Sequence, residues 1–317
     1  MTSAPSRDHL RKGETVAWYD SVIAGSVSGI FARAATAPMD TVKIRYQLQP
    51  VHEDKYKGIV STVKTILKEE GLRALWKGNV PATAMYVVYG GVQFGSYSWF
   101  NNLWSAKFPQ CSQQGQSLIV GALAGMTSSL VSYPLDLLRT RLAANRNVRG
   151  TKLLEACRET WHTEGFRGFF TGAPTAMTTI TLSAAFMFQT YEAANIVCEN
   201  YESEFWSRPL RASSGMLAGM VSKTAVFPID TLRRRMQIMN SQGTSRFTEF
   251  PDVYHKYRSS SSISIITKIV RQEGVMALYR GLTMGLFKSV PSTAIYLYAY
   301  ERIMTTLDRR PSLSDAR

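Results

Sequence analysis

The chain has 317 residues, 45% of them apolar, and a formal net charge of +14. That length admits one large domain or two small ones, and the charge admits nucleic acid, anionic lipid or an anionic solute as partner. The scattered Cys111, Cys157 and Cys198 exclude a disulfide scaffold and a cysteine-based zinc site, and His9, His52, His162 and His255 form no triad or metal spacing.

The opening segment, residues 1–16, lacks the apolar core of a secretory signal and the long Arg/Ser-rich amphipathic stretch of a transit peptide. Any organelle address is therefore internal. An apolar helix follows, with Gly25 and Gly29 at the spacing that lets membrane helices approach closely. It runs into APMDTVKIRYQ, Ala37 to Gln47. A proline inside a helix costs roughly 3 kcal/mol, and charges at membrane depth are disfavoured, so this stretch accepts two costs at one place. A basic segment comes next, with Lys55, Lys57, Lys64 and Lys68. Within it GIVSTVKTILKEEG, Gly58 to Gly71, is amphipathic at helical spacing and reads as a short helix on a membrane surface. EGLRALWKG, Glu70 to Gly78, then leads into the uncharged run from Val80 to Trp104, which exceeds the roughly 20 residues a bilayer crossing needs.

The same order returns twice. Gly121 and Gly125 precede YPLDLLRTRLA (Tyr133 to Ala143), then come Arg146, Arg149, Lys152 and Arg158, EGFRGFFTG (Glu164 to Gly172) and the uncharged run to Tyr191. Gly215 and Gly219 precede FPIDTLRRRMQ (Phe227 to Gln237), followed by Lys256, Arg258, Lys268, Arg271, EGVMALYRG (Glu273 to Gly281) and a last apolar helix. The third basic segment carries a polar insertion between Asn240 and Ser262 that reads as loop. Three repeats of two spans make an all-α membrane protein with six transmembrane helices and a short surface helix in each repeat. The repeats divide as 17–108, 109–205 and 206–307, with a tail at 308–317. Two spans return the chain to its starting side, so the three basic segments share one face, the one retained during insertion.

In each proline motif an acid and a base stand three apart, on one helix face: Asp40 and Lys43, Asp136 and Arg139, Asp230 and Arg233. The proline lets each helix end bend inward, so that each acid can meet the base of a neighbouring repeat. Such a ring is either a gate or a static device that sets helix register, and spacing alone leaves both open. The third bases, Arg45, Arg141 and Arg235, read as solvated or facing lipid headgroups. Two turns before the acids, about 10 Å along each helix, stand Arg33, Ser129 and Lys223. Bases with hydroxyls suit a phosphorylated or carboxylated anion.

Three copies of Pro-x-Asp-x-x-(Lys/Arg), each followed by Glu-Gly and a closing aromatic-x-Gly, resemble the mitochondrial carrier family over nearly the whole chain. The resemblance implies six tilted helices around a pseudo-threefold axis, one central solute site, alternating access, and the inner mitochondrial membrane with both termini in the intermembrane space. It implies a matrix gate of the pairs Asp40–Arg139, Asp136–Arg233 and Asp230–Lys43, with Gln47 and Gln237 as braces and Ala143 unable to serve as one. It implies solute contacts at Arg33, Met85, Tyr89, Gln93, Thr179, Ile180, Ser183, Lys223 and Lys288. It also implies cardiolipin at Lys77 and Arg280, where helix N-termini favour phosphate; Thr171 stands where the third base is usual. The family's outer gate is aromatic-acid-x-x-base. Here it reads Tyr97-Ser98 with Asn101, Tyr191-Glu192 with Asn195 and Tyr300-Glu301 with Met304, and it lacks every base.

Within the family, MYVVYGGVQFGSYSWF (Met85 to Phe100), TTITLSAAFMFQTYE (Thr178 to Glu192) and TLRRRMQIMNS (Thr231 to Ser241) resemble the fungal thiamine pyrophosphate branch. That implies import of thiamine pyrophosphate in exchange for thiamine phosphate or nucleotides, by a monomer without resident cofactor or metal. Tyr89 and Met85 then offer the heterocycle a stacking surface, or they merely pack between helices. Carriers of coenzyme A or adenine nucleotides need similar bases, and a non-transporting membrane receptor or adaptor is the alternative of another class. A nucleic-acid binder would instead show a solvated basic patch, and no enzymatic constellation is present.

Overall fold

The computed structural model describes residues 8–11, 14–16, 18–50, 55–56, 58–107, 113–145, 152–200, 207–239, 241, 254 and 261–308. The expected bases Lys57, Arg146, Arg149, Lys256 and Arg258, the tail beyond residue 308 and most of the third-repeat insertion lie outside them, as do Cys111, His52 and His255. The chain divides into two compact units, residues 1–39 with 287–317, and residues 40–286.

Helices dominate. A short antiparallel pairing of β1 (Asp8–Arg11) with β2 (Glu14–Val16) in the opening segment is an exception to the all-α expectation. The three proline motifs lie inside α1 (Trp18–Leu48), α4 (Gln113–Ala144) and α7 (Ser207–Met239). Each helix continues through its proline, leaving one carbonyl a turn earlier without its helical donor. The surface helices are α2 (Ile59–Glu70), α5 (Leu153–Gly168) and α8 (Ser262–Glu273). Returning helices are α3 (Asn79–Lys107) and α6 (Ala173–Asn200).

The third return differs from the expected single span. It is split into α9 (Leu282–Phe287) and α10 (Ser289–Asp308), with Lys288 at the break. Pro291 explains this, because it cannot donate to the Phe287 carbonyl four residues back.

Among the described residues no helix is long and apolar enough to cross a membrane by hydropathy. Glycines, hydroxyls and amides dilute every long helix; α3 alone carries Gly90, Gly91, Gly95, Ser96, Ser98, Asn101 and Asn102. The repeat, rather than hydropathy, identifies these helices.

Each surface helix buries one stripe at intervals of four, the period that keeps side chains on one face. In α2 the stripe is Thr62, Ile66 and Glu70, in α5 it is Ala156, Thr160 and Glu164, and in α8 it is Ile265, Ile269 and Glu273. The stripe therefore ends on the glutamate of the Glu-Gly element. The glycine that follows ends the surface helix in α2 and α8 with left-handed φ, +81° at both Gly71 and Gly274. Around α8 the core adds Leu232, Met239, Ala277 and Leu278, together with Tyr254 from the insertion. Tyr254 is buried, and its hydroxyl donates to the Leu48 carbonyl.

Small-residue spacing works unevenly. Within the first unit, a Cβ on Gly25 would stand 3.5 Å from the Tyr296 hydroxyl. Gly29, Gly121, Gly215 and Gly219 have nothing within 4 Å of that position, so the close approach expected of them is not made among the described residues.

Candidate functional site

In residues 40–286 the three motif acids each meet a base from another helix. Arg139 Nη2 stands 2.8 Å from Asp40 Oδ2, Arg233 Nη2 is 2.7 Å from Asp136 Oδ2, and Lys43 Nζ is 2.9 Å from Asp230 Oδ2. Gln237 Nε2 donates to Asp136 Oδ2 at 2.9 Å and to the Tyr133 hydroxyl at 3.2 Å. Gln47 Nε2 donates to Asp230 Oδ2 and to Thr231 Oγ1, both at 3.3 Å.

The residue before each proline sets a difference between the pairs. Lys43 lies over the Phe227 ring and Arg233 over the Tyr133 ring, each 5.1 Å from the centroid, close enough for cation–π attraction. Ala37 stands at the third equivalent position and has no ring.

A frame holds this ring in place. Gly78, Gly172 and Gly281 all have left-handed φ, from +80° to +87°. A Cβ on Gly78 would lie 2.7 Å from the Arg139 carbonyl oxygen, one on Gly172 3.6 Å from that of Arg233, and one on Gly281 3.5 Å from that of Lys43. Thus each repeat seats the start of its returning helix on the backbone of the base that its own acid contacts. Thr171, where a base is usual, offers its carbonyl to the Tyr133 hydroxyl at 2.7 Å.

The third bases depart from expectation. Arg45, Arg141 and Arg235 are buried, not solvated. Arg45 pairs with Glu70, Arg141 Nη1 lies 2.8 Å from Glu164 Oε1, and Arg235 Nη1 lies 2.6 Å from Glu273 Oε1. Their Nε atoms donate to the carbonyls of Ala143 (3.1 Å), Gln237 (3.1 Å) and Gln47 (3.3 Å). Those carbonyls belong to the last turns of α4, α7 and α1, which have no helical donor of their own and favour a cation. Lys77 bonds Glu70 and the Asn145 carbonyl at 3.0 Å, and Arg280 Nη1 donates to the Pro50 carbonyl at 3.0 Å. Burial pushes the Glu70 carboxyl up, but Arg45 and Lys77 outweigh it and leave its pKa below the ordinary glutamate value.

Of the expected solute contacts, Tyr89 and Ile180 converge. A Cβ on Gly125 would lie 4.0 Å from the Tyr89 hydroxyl and 3.8 Å from Ile180 Cγ2. Ser183 Oγ lies 2.8 Å from Ser222 Oγ, and Ser222 Oγ donates to the Ser183 carbonyl at 2.7 Å, which ties α6 to α7. Thr179 Oγ1 donates to the Thr175 carbonyl at 2.8 Å, and Lys223 Nζ donates to the Gly285 carbonyl. Met85 and Gln93 are half-buried, and Gln93 Oε1 is buried without a hydrogen-bond partner. Arg33 and Lys288 are half-buried in the other compact unit. At the outer positions Tyr97 and Tyr191 are exposed, Asn101 Oδ1 accepts from Gln116 Nε2 at 2.9 Å, and Met304 packs with Ala24.

A family model described as mitochondrial carrier protein matches the chain three times, over residues 14–108, 112–202 and 207–311. The chain belongs to the mitochondrial carrier family. It is accordingly a protein of the mitochondrial membrane. Among its relatives, mitochondrial thiamine pyrophosphate carrier 1 of Kluyveromyces lactis is 75% identical over 97% of both chains. The proteins of the same name from Eremothecium gossypii and Saccharomyces cerevisiae strain S288c are 49% and 43% identical, over 97% and 93% of this chain and 96% of theirs.

Sequence reasoning missed one member of the carrier's ring. Arg234 Nη1 donates to Asp136 Oδ1 at 3.1 Å, to Asp136 Oδ2 at 3.0 Å, to Thr140 Oγ1 at 2.5 Å and to Gln237 Oε1 at 3.2 Å. Its position lies outside the repeated motif; Ile44 and Thr140 occupy the equivalents. The signal available was the run of three arginines in TLRRRMQ.

Proposed function

We propose that this carrier imports thiamine pyrophosphate across the inner mitochondrial membrane into the matrix, in exchange for thiamine phosphate or nucleotides. The observation that carries the proposal is the 75% identity, over 97% of both chains, with a relative named for that solute. The chemistry agrees. A ring of three interhelical ion pairs suits a gate, because breaking a buried pair costs about 3–5 kcal/mol, and a bound solute must offset that before the ring opens. Asp40, Lys43, Gln47, Asp136, Arg139, Asp230, Arg233 and Gln237 form the gate.

Arg33, Lys223 and Lys288 stand at repeat positions suited to contacting the diphosphate. Tyr89 and Met85 offer the heterocycle a face, Gln93 brings an unused amide oxygen, and Thr179, Ile180 and Ser183 complete the set. The protein crosses the membrane six times as a monomer, with both termini in the intermembrane space. Cardiolipin occupies the cavity of about 310 Å³ lined by Trp76, Lys77, Gly78, Lys152 and Leu153 at the start of α3. Two lysines beside a helix N-terminus favour a phosphate there.

Competition in proteoliposomes tests the substrate. Lys223→Gln removes a charge-assisted contact worth about 1.5–3 kcal/mol, so thiamine pyrophosphate and inorganic pyrophosphate should both lose about ten- to hundred-fold in affinity. Tyr89→Leu should weaken thiamine pyrophosphate far more than pyrophosphate. Tighter competition by coenzyme A or adenine nucleotides in the unmodified carrier would overturn the assignment.

A further inference from the structure

Arg234 is buried where two of the ring's ion pairs come together. From α7 it reaches across to α4, where Asp136 takes both its nitrogen Nη1 and Arg233. Along its own helix, Arg234 Nε stands 4.0 Å from Asp230 Oδ1, four residues back, and Asp230 is the acid that pairs with Lys43 of α1. Its aim is fixed on two further sides. Thr140 Oγ1 donates its hydrogen to the Asp136 carbonyl at 3.0 Å and so presents lone pairs to Arg234, and Gln237 Oε1 accepts at 3.2 Å. The three acids are therefore met by four bases, and only the third repeat supplies the extra one. The contacts of Arg234 do not include Asp40 or Arg139.

We propose that Arg234 is a positioning residue that fastens the Asp136 and Asp230 contacts to each other, so that these two open together and the Asp40–Arg139 contact opens separately. The physical reason is the shared guanidinium. When Arg234 loses Asp136, its charge is left to Asp230, four residues back on the same helix, and competes there with Lys43 for the carboxylate. Neither pair can loosen without disturbing a cation buried against both. A lock made this way suppresses partial opening, and partial opening is what would let solute leak without exchange.

The inference rests on the protein being a carrier, and two measurements keep its failure distinct from failure of the solute assignment. The first uses detergent-purified protein and no solute. Thermal losses from Lys43→Met and Arg233→Met, which remove one base from each of the two contacts, should be non-additive with Arg234 present. They should add in an Arg234→Met background, as unconnected sites do. Persistence of the non-additivity without Arg234 overturns the proposal, as does additivity with it. The second uses proteoliposomes loaded with radiolabelled thiamine pyrophosphate. Arg234→Met should raise unidirectional efflux relative to exchange about tenfold, the scale of one lost charge-assisted contact, with KM within about twofold. Arg234→Lys, which keeps the charge but lacks the fork that reaches two acids, should fall between. An unchanged ratio of efflux to exchange, or a proportionate fall in both, contradicts the proposal. If Arg234→Met fails to fold, Arg234→Gln carries the same two comparisons.

Discussion

Gly78 is a residue whose hydrogen atom decides the geometry around it. Its φ of +80° disfavours any side chain, and a Cβ would stand 2.7 Å from the Arg139 carbonyl oxygen. Left-handed backbone costs about 1–2 kcal/mol for a non-glycine residue, and the contact adds displacement of the backbone that carries Arg139. Gly78→Ala should therefore lower the thermal midpoint and reduce exchange. Gly121→Ala should leave both nearly unchanged, because nothing stands within 4 Å of the added methyl. Paired thermal scans and exchange rates check this, and equal effects of the two substitutions would contradict the reading. The contrast also marks a limit of sequence reasoning at this scale. Glycine spacing in the long helices invites a close-packing interpretation that Gly121, Gly215 and Gly219 do not bear out, since backbone approach depends on how neighbouring helices are placed. The glycine that closes the aromatic element matters instead, through a contact with a residue 61 positions later for Gly78.

The surface helices are the elements that tie each repeat together. A short amphipathic surface helix in each repeat was legible in the sequence. What its buried stripe ends on was not. Arg45, Arg141 and Arg235 follow the gate motifs at spacings that suggest exposure, while their glutamates lie 25, 23 and 38 residues further on. Only folding the surface helix back against its repeat discloses the pairing. The break at Lys288 was hidden for a different reason, since a proline in an apolar run does not announce whether the helix bends or stops. The Glu70 pair yields a pH prediction. Its folded pKa lies below the ordinary glutamate value, so its contribution is fully present above that value, about 4.3. It is lost as pH falls below 4.3 through the depressed folded value. Glu70→Gln should lower the thermal midpoint at pH 7 and reduce its acid sensitivity between pH 5 and 3. An acid profile parallel to the unmodified protein would contradict this.

At the scale of the molecule, three repeats of one unit bring three acid–base pairs into contact. Triplication made a cycle of acids and bases legible, because an isolated acid and base three apart mean little, and the resemblance to the carrier family supplied the partners Asp40–Arg139, Asp136–Arg233 and Asp230–Lys43. The same symmetry hid what breaks it. Arg234 has no repeat equivalent, and neither ring over a base, from Phe227 or Tyr133, has a counterpart at Ala37. Ser183 was legible only as a position, since its bond to Ser222 depends on α6 meeting α7. The central claim is that the ring is a gate whose contacts must form and break during transport. The Asp40–Arg139 contact tests it most directly, because Arg234 does not reach it. Exchange of labelled thiamine pyrophosphate is measured for Asp40→Arg, Arg139→Asp and the two combined. Each single substitution sets like charges against each other and should abolish exchange, while the combined charge swap should restore a substantial part of it. A combined variant that inserts, keeps the thermal midpoint of the unmodified protein and exchanges no better than either single one would contradict the gate.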